Sequence, residues 1–142
     1  MVFFGAEIHK LKEIVMNTEM EKCAHLYSGI IGMLKMNNDI IPVVDLHEKF
    51  YREPFPISGY SFYAIFILDE KLIAVPVNGV EQYYDVPYEC LFSVPMILKA
   101  ERGQFIQQII NLDGRLIPVL SLKNIFEEMK DDIWEEHNKD YS

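Results

Sequence analysis

The sequence holds 142 residues, half of them apolar or aromatic, with a formal charge of −9. That apolar content supports a buried core and excludes a disordered chain, and the length suits one domain or two small lobes sharing a core. The acidic balance offers no basic footprint for nucleic acid, and no apolar run reaches the roughly 20 residues of a membrane-spanning helix.

The charge is uneven. Residues 127–142 carry seven acids against Lys130 and Lys139, so the rest of the chain is only mildly acidic. The start, MVFFGAEIHK, has no basic stretch before its apolar residues and no small-residue cleavage site, so a signal peptide is not expected. Cys23 and Cys90 are well separated, which gives no disulfide framework and makes a cytoplasmic location the expectation.

Residues 6–15, AEIHKLKEIV, fit a strand, but Ile8, Leu11, Ile14 and Val15 also fit helical spacing, so both readings stay open. Residues 17–28 are polar and irregular, with a short helix around Glu19–Leu26 as one reading. Met33–Met36 and Ile40–Val44 form an expected hairpin across Asn37-Asn38-Asp39, because asparagine tolerates positive φ. Asp45 then stands at a helix N-cap with Glu48 three residues on, a capping-box spacing. Leu46–Tyr51 is expected as one or two helical turns, stopped by Pro54 and Pro56.

The middle of the chain is the most β-rich. Tyr60–Leu68 (YSFYAIFIL) pairs with Leu72–Val77 across Asp69-Glu70-Lys71. Asn78-Gly79 is a turn signal, Val80–Val86 continues extended, and Pro87 and Pro95 bracket a loop. Gln104–Leu112 pairs with Arg115–Leu120 across Asp113-Gly114, a type I′ dipeptide. Ser121 caps a last helix reaching about His137, where Leu122, Ile125, Phe126, Met129 and Ile133 make an apolar stripe with the acids off it.

One device is written twice. GMLKMNNDIIPVVDL (32–46) and IINLDGRLIPVLSL (109–122) each run from hairpin turn to proline-bearing strand to N-cap to helix. Pro42 and Pro118 are acceptable at a strand edge or bulge, where the missing N–H is not needed. The long spacing between the copies argues for two related antiparallel lobes rather than a solenoid.

Chemistry-bearing motifs are missing. The glycines form neither GxGxxG nor a phosphate loop, and no CxxC, HxxxH, HExxH or GxSxG exists. Asp45, His47 and Glu48 read as a cap and its first turn before they read as acid–base machinery, and Cys23 and His25 as ordinary residues before a nucleophile pair. No enzyme, metal or cofactor is expected.

FGAEIHKLKEIV (4–15) and GMLKMNNDIIPVVDL (32–46) resemble the CheW-like adaptor domain of bacterial chemotaxis, whose blocks run aromatic-Gly-x-[DE]-I into V-x-E-I and G-x-x-x-x-R-G-x-x-[IV]-P-V-x-D-L. LIAVPVNGVEQYYDV (72–86) and FIQQIINLDGRLIPVLSL (105–122) resemble its later blocks, so the likeness spans nearly the whole chain. It implies a mainly β fold of two five-stranded, SH3-like barrels around a shared apolar core, with a short helix after each lobe motif and an amphipathic C-terminal helix. It also implies a non-catalytic adaptor that couples chemoreceptor cytoplasmic tips to the regulatory domain of a CheA-type histidine kinase by barrel-to-barrel packing. Neither nucleic acid nor direct membrane insertion is implied.

Carried over by position, the resemblance assigns partner binding to Leu11, Glu13 and Ile14 of V-x-E-I, and to Gly32, Asn37, Asn38, Ile40 and Pro42 of the second motif. Asn37-Asn38 stand where the family carries Arg-Gly, so the implied receptor contact lacks the arginine's fork of donors and fixed charge. Asn78 and Ser121 each stand for a usual Asp. The family also has a full strand before its aromatic-Gly segment, where this chain has Met1-Val2-Phe3. The expectation is an open edge in the first barrel, covered by a second copy in a homodimer or by a partner's strand. Two other readings stay open: an adaptor or decoy of a non-chemotaxis kinase system, and a small-ligand-binding barrel using Phe62, Tyr63, Phe66, Tyr83 and Tyr84.

Overall fold

The computed structural model describes residues 4–16, 20–22, 30–46, 62–80, 83–95 and 105–127. Among them are nine strands: β1 (Leu11–Met16), β2 (Met20–Lys22), β3 (Ile30–Met36), β4 (Asp39–Val44), β5 (Phe62–Leu68), β6 (Lys71–Val77), β7 (Leu91–Phe92), β8 (Ile106–Leu112) and β9 (Arg115–Leu120). Six make one sheet in the order β1-β5-β6-β4-β3-β2, and three make another, β7-β8-β9.

The larger sheet has to curl. Laid flat, its outer strands β1 and β2 would lie about 24 Å apart at ~4.8 Å per strand. Yet the end of β1 at Met16 and the start of β2 at Met20 are four residues apart, a reach of at most about 14 Å. Curling wraps the sheet around Leu34, Ile41, Val43, Tyr63, Ile65 and Ala74, all buried together, with Val15, Met20, Met36 and Leu72 packed against them.

The other face of β5 and β6 is buried too. Ala64, Phe66, Ile73 and Val75 join Ile30, Val44 and Leu46 of the first lobe with Phe105, Leu120, Leu122, Ile125 and Phe126 of the second. This explains the unbroken apolar runs of β5 and β6, since a strand covered on both faces has no solvent side to alternate towards. The helix at residues 122–127 docks here. Lys71, at the β5–β6 turn, places its Nζ 6.0 Å from the Phe126 ring centroid, within cation–π range.

The twice-written device is a structural repeat with an offset of 76 residues. Met33 faces Pro42 and Leu34 faces Ile41; Ile109 faces Pro118 and Ile110 faces Ile117. The register breaks between Ile30 and Gly32 in one hairpin and between Ile106 and Gln108 in the other, again 76 apart. Asn37 (φ 55°) and Asp113 (φ 52°) occupy the same left-handed turn position. Parallel neighbours complete the match: Val43 pairs with Ala74, and Val119 with Gly5.

The prolines follow from this frame. The Pro118 carbonyl accepts from Gly5 N–H at 2.8 Å, and Gly5 C=O accepts from Leu120 N–H at 2.8 Å. Pro118 therefore turns its backbone away from β8, towards the strand's outer side, where little is lost by the missing donor. Pro42 holds the same register, beside the same kind of bulge. Ser121 is the helix cap expected: its Oγ accepts from Asn124 N–H at 3.4 Å. Asp45 is buried directly before helical Leu46.

Several expectations need correction. Residues 8–10 form a 3-10 turn, and the strand begins only at Leu11. Residues 20–22 are strand β2 and not helix, because their short run pairs with Gly32–Leu34. Among residues 83–86 no strand forms. Among the described residues the two sheets hold six and three strands. Among the described residues the N-terminal segment lies on β9 of the smaller sheet, where Gly5 pairs with Val119. The helical expectations for 47–51 and 128–137 lie outside the described residues.

Candidate protein-binding surface

The expected site residues sort into those that hold the fold and those that face outward. Leu11 and Ile14 are half-buried against the shared core, while Glu13 between them is exposed. A bulge between Leu11 and Glu13 sets this pattern, pairing Leu11 with Phe66 and Glu13 with Ile65. β1 stands at one end of the sheet order, three places from β4.

Gly32 is structural. A Cβ built there would lie 2.5 Å from the Glu21 carbonyl oxygen and 2.6 Å from Met20 Cγ, so only glycine lets β2 approach β3 so closely.

The β3–β4 hairpin carries the outward group. Asn37, Asn38 and Asp39 are exposed at its tip, Pro42 is half-buried, and Ile40 is 66% exposed. Lys35, opposite Ile40, bonds Glu21 at 3.0 Å in an exposed pair, worth little to stability. Ile40 is thus an exposed aliphatic side chain opposite Lys35, next to the polar hairpin tip. Leu116 sits 76 residues on, at the same register of β9, and is also 66% exposed. It was not among the expected site residues, although the sequence repeat alone maps Ile40 onto it.

Near the second lobe, Glu7 gathers polar contacts. Its carboxylate accepts from Gln107 Nε2 at 2.8 Å and pairs with His9 at 3.1 Å and Lys10 at 3.7 Å. The Gln107 hydrogen bond does most to hold the Glu7 carboxyl below its usual range; burial opposes it, and attraction by Lys10 and His9 adds to the lowering. Gln107 is the extra residue of the β8 bulge, and bulges re-aim side chains in this way.

The aromatics of β5 do not line one cavity. Tyr63 packs inside the first lobe and Phe66 in the shared core, on opposite faces of the strand. Burial pushes the Tyr63 hydroxyl above its ordinary pKa. Tyr83 and Tyr84 are exposed. Among the described residues no three His, Cys, Asp or Glu side chains converge as a metal site. No helix among them is long and apolar enough to cross a membrane.

Residues 2–130 match the CheW-like domain family. The chain is 22% identical over 129 residues to the chemotaxis protein CheW of Treponema pallidum (strain Nichols), covering 87% of this chain and 75% of that one. It is 22% identical over 125 residues to the probable chemotaxis protein CheW of Rhizobium etli, covering 88% and 81%. Its fold matches the crystal structure of the scaffolding protein TtCheW from Thermoanaerobacter tengcongensis with a TM-score of 0.75 at 22% identity, over 87% of this chain and 84% of that one. The two-lobed β fold, the repeated proline hairpins and a match across nearly the whole sequence agree: the chain belongs to the CheW-like domain family of non-catalytic scaffold proteins.

Proposed function

We propose that this protein is a cytoplasmic chemotaxis adaptor that joins a CheA-type kinase regulatory domain to chemoreceptor tips through its outward hairpins and β1. The observation that carries this is the twin exposure of Ile40 and Leu116, each 66%, at one register of both lobes. The same exposed aliphatic position repeated on both hairpins fits the apolar centre of a protein interface. Glu13 supplies a free-facing charge on β1, and Asn37-Asn38 the hairpin tip.

The test is calorimetric titration with a purified CheA-type regulatory domain. Binding that drops about tenfold in Glu13→Lys and again in Ile40→Ser supports the assignment; wild-type protein that does not bind removes it. The amides at 37 and 38 favour a second reading, an adaptor or decoy that holds the kinase without coupling it. In reconstituted arrays that reading predicts kinase incorporation without receptor control of phosphorylation, and restored control in Asn37→Arg.

A further inference from the structure

Asn-Gly occurs once in the sequence, at Asn78-Gly79. The pair follows Val77, the last residue of β6, whose partner Phe62 is the first of β5. The chain bends there and leaves the larger sheet for the crossover to β7. Asn78 and Gly79 are both exposed. A Cβ built on Gly79 would meet nothing within 4 Å, and its φ lies outside the left-handed region. Among the described residues nothing hydrogen-bonds the Gly79 N–H or the Asn78 side chain.

These are the conditions for a backbone nitrogen to attack the side chain before it. The carboxamide carbon is the electrophile, and the next residue's nitrogen reaches it through a five-membered ring. A following side chain crowds that ring, and glycine has none. A hydrogen bond on the N–H, or a turn that fixes the dihedrals, holds the nitrogen back. Asp113-Gly114 is the internal contrast, since an aspartyl side chain closes the same ring. There the Gly114 N–H donates to Asn111 Oδ1 at 3.0 Å, and the hairpin fixes φ at 52° and 83°. Asn37, Asn38, Asn111 and Asn124 all precede residues that carry side chains.

We infer that Asn78 is a self-modification site, where the folded chain converts a neutral amide into a carboxylate on the crossover between its sheets. The Gly79 nitrogen loses its proton to solvent base and bonds to Asn78 Cγ. The Cγ–Nδ2 bond breaks, and ammonia leaves with a proton returned from solvent. Water then opens the imide. Cleavage at the side-chain carbonyl leaves an aspartyl residue, and cleavage at the main-chain carbonyl leaves an isoaspartyl one, with the main chain routed through Cβ and Cγ. Either product adds one negative charge to the formal −9. The isoaspartyl form lengthens the crossover by one carbon, just beyond the Val77–Phe62 rung, so the β5–β6 register is kept.

The test holds the full chain folded at physiological temperature in mildly alkaline buffer and maps its peptides by mass over time. The peptide spanning Asn78 should first lose the mass of ammonia and then gain that of water. An acidic isoform should build up, with isoaspartate detected by a carboxyl methyltransferase and labelled S-adenosylmethionine. Mildly acidic buffer should slow the change, because the attacking nitrogen must lose its proton. Unfolding in urea should alter the Asn78 rate by less than about fivefold, since the folded site is already open. Gly79→Ala, whose added methyl meets nothing, should slow it about tenfold or more with melting temperature unchanged. A folded rate more than about fivefold below the unfolded one, a Gly79→Ala rate equal to wild type, or isoaspartate forming at Asp113 as fast as at Asn78 in the folded chain overturns the inference.

Discussion

Gln107 Nε2 donates to Glu7 Oε1 across 2.8 Å, tying the N-terminal segment to the bulge of β8. Because the folded pKa of Glu7 is lowered, its contribution is present above the unfolded value near 4.5 and is lost as pH falls through the folded value. The carboxyl is one-third exposed, so solvent screening keeps the gain to about 1 kcal/mol or less. Glu7→Gln should therefore destabilise by up to that amount at pH 7 and converge on wild type as pH falls through the lowered folded value. Urea unfolding across a descending pH series measures it.

Gly32→Ala should be among the costliest single-methyl additions in the chain. The new Cβ meets backbone at 2.5 Å, and a backbone atom cannot swing aside as a side-chain end can. Overpacking of this kind costs about 1–3 kcal/mol. Denaturant midpoints should fall accordingly, with loss of exchange protection concentrated at Met20–Lys22.

The β5–β6 turn is the opposite case. Asp69 and Glu70 both hold left-handed φ, 48° and 66°, the pattern of a type I′ hairpin whose second position prefers glycine. Glu70→Gly should stabilise the fold by roughly 0.5–1 kcal/mol, relief of the left-handed strain exceeding glycine's added chain entropy. A higher melting temperature is the readout.

Ile40→Ser and Leu116→Ser should leave stability within about 0.5 kcal/mol, since neither side chain is buried. A thermal scan of the double variant checks this, and an unchanged scan would make any loss of binding to a kinase regulatory domain attributable to the surface alone.

Much of this was legible in the residues. Asn37, Asp113-Gly114 and the paired prolines announced both hairpins, because turn chemistry is local and needs no tertiary knowledge. Ser121 announced its helix for the same reason. The short strands β2 and β7 were hidden, since three and two residues carry no periodicity and are strands only because β3 and β8 lie beside them. Residues 83–86 misled in the other direction: their Tyr-Tyr-Asp-Val composition suits a strand, but a strand needs a neighbour. Among the expected binding residues, Asn37, Asn38, Ile40 and Glu13 face outward, whereas Gly32 holds two strands together. Motif position alone does not distinguish display from support.

β5 and β6 form a wall buried on both faces, one inside the first lobe and one against the second. Neither lobe can therefore melt on its own, because losing either would strip one side of the same two strands. Heating should give a single calorimetric transition. A chain severed between Asn78 and Tyr88 should yield two fragments that are each unstructured apart and regain native spectra only when mixed.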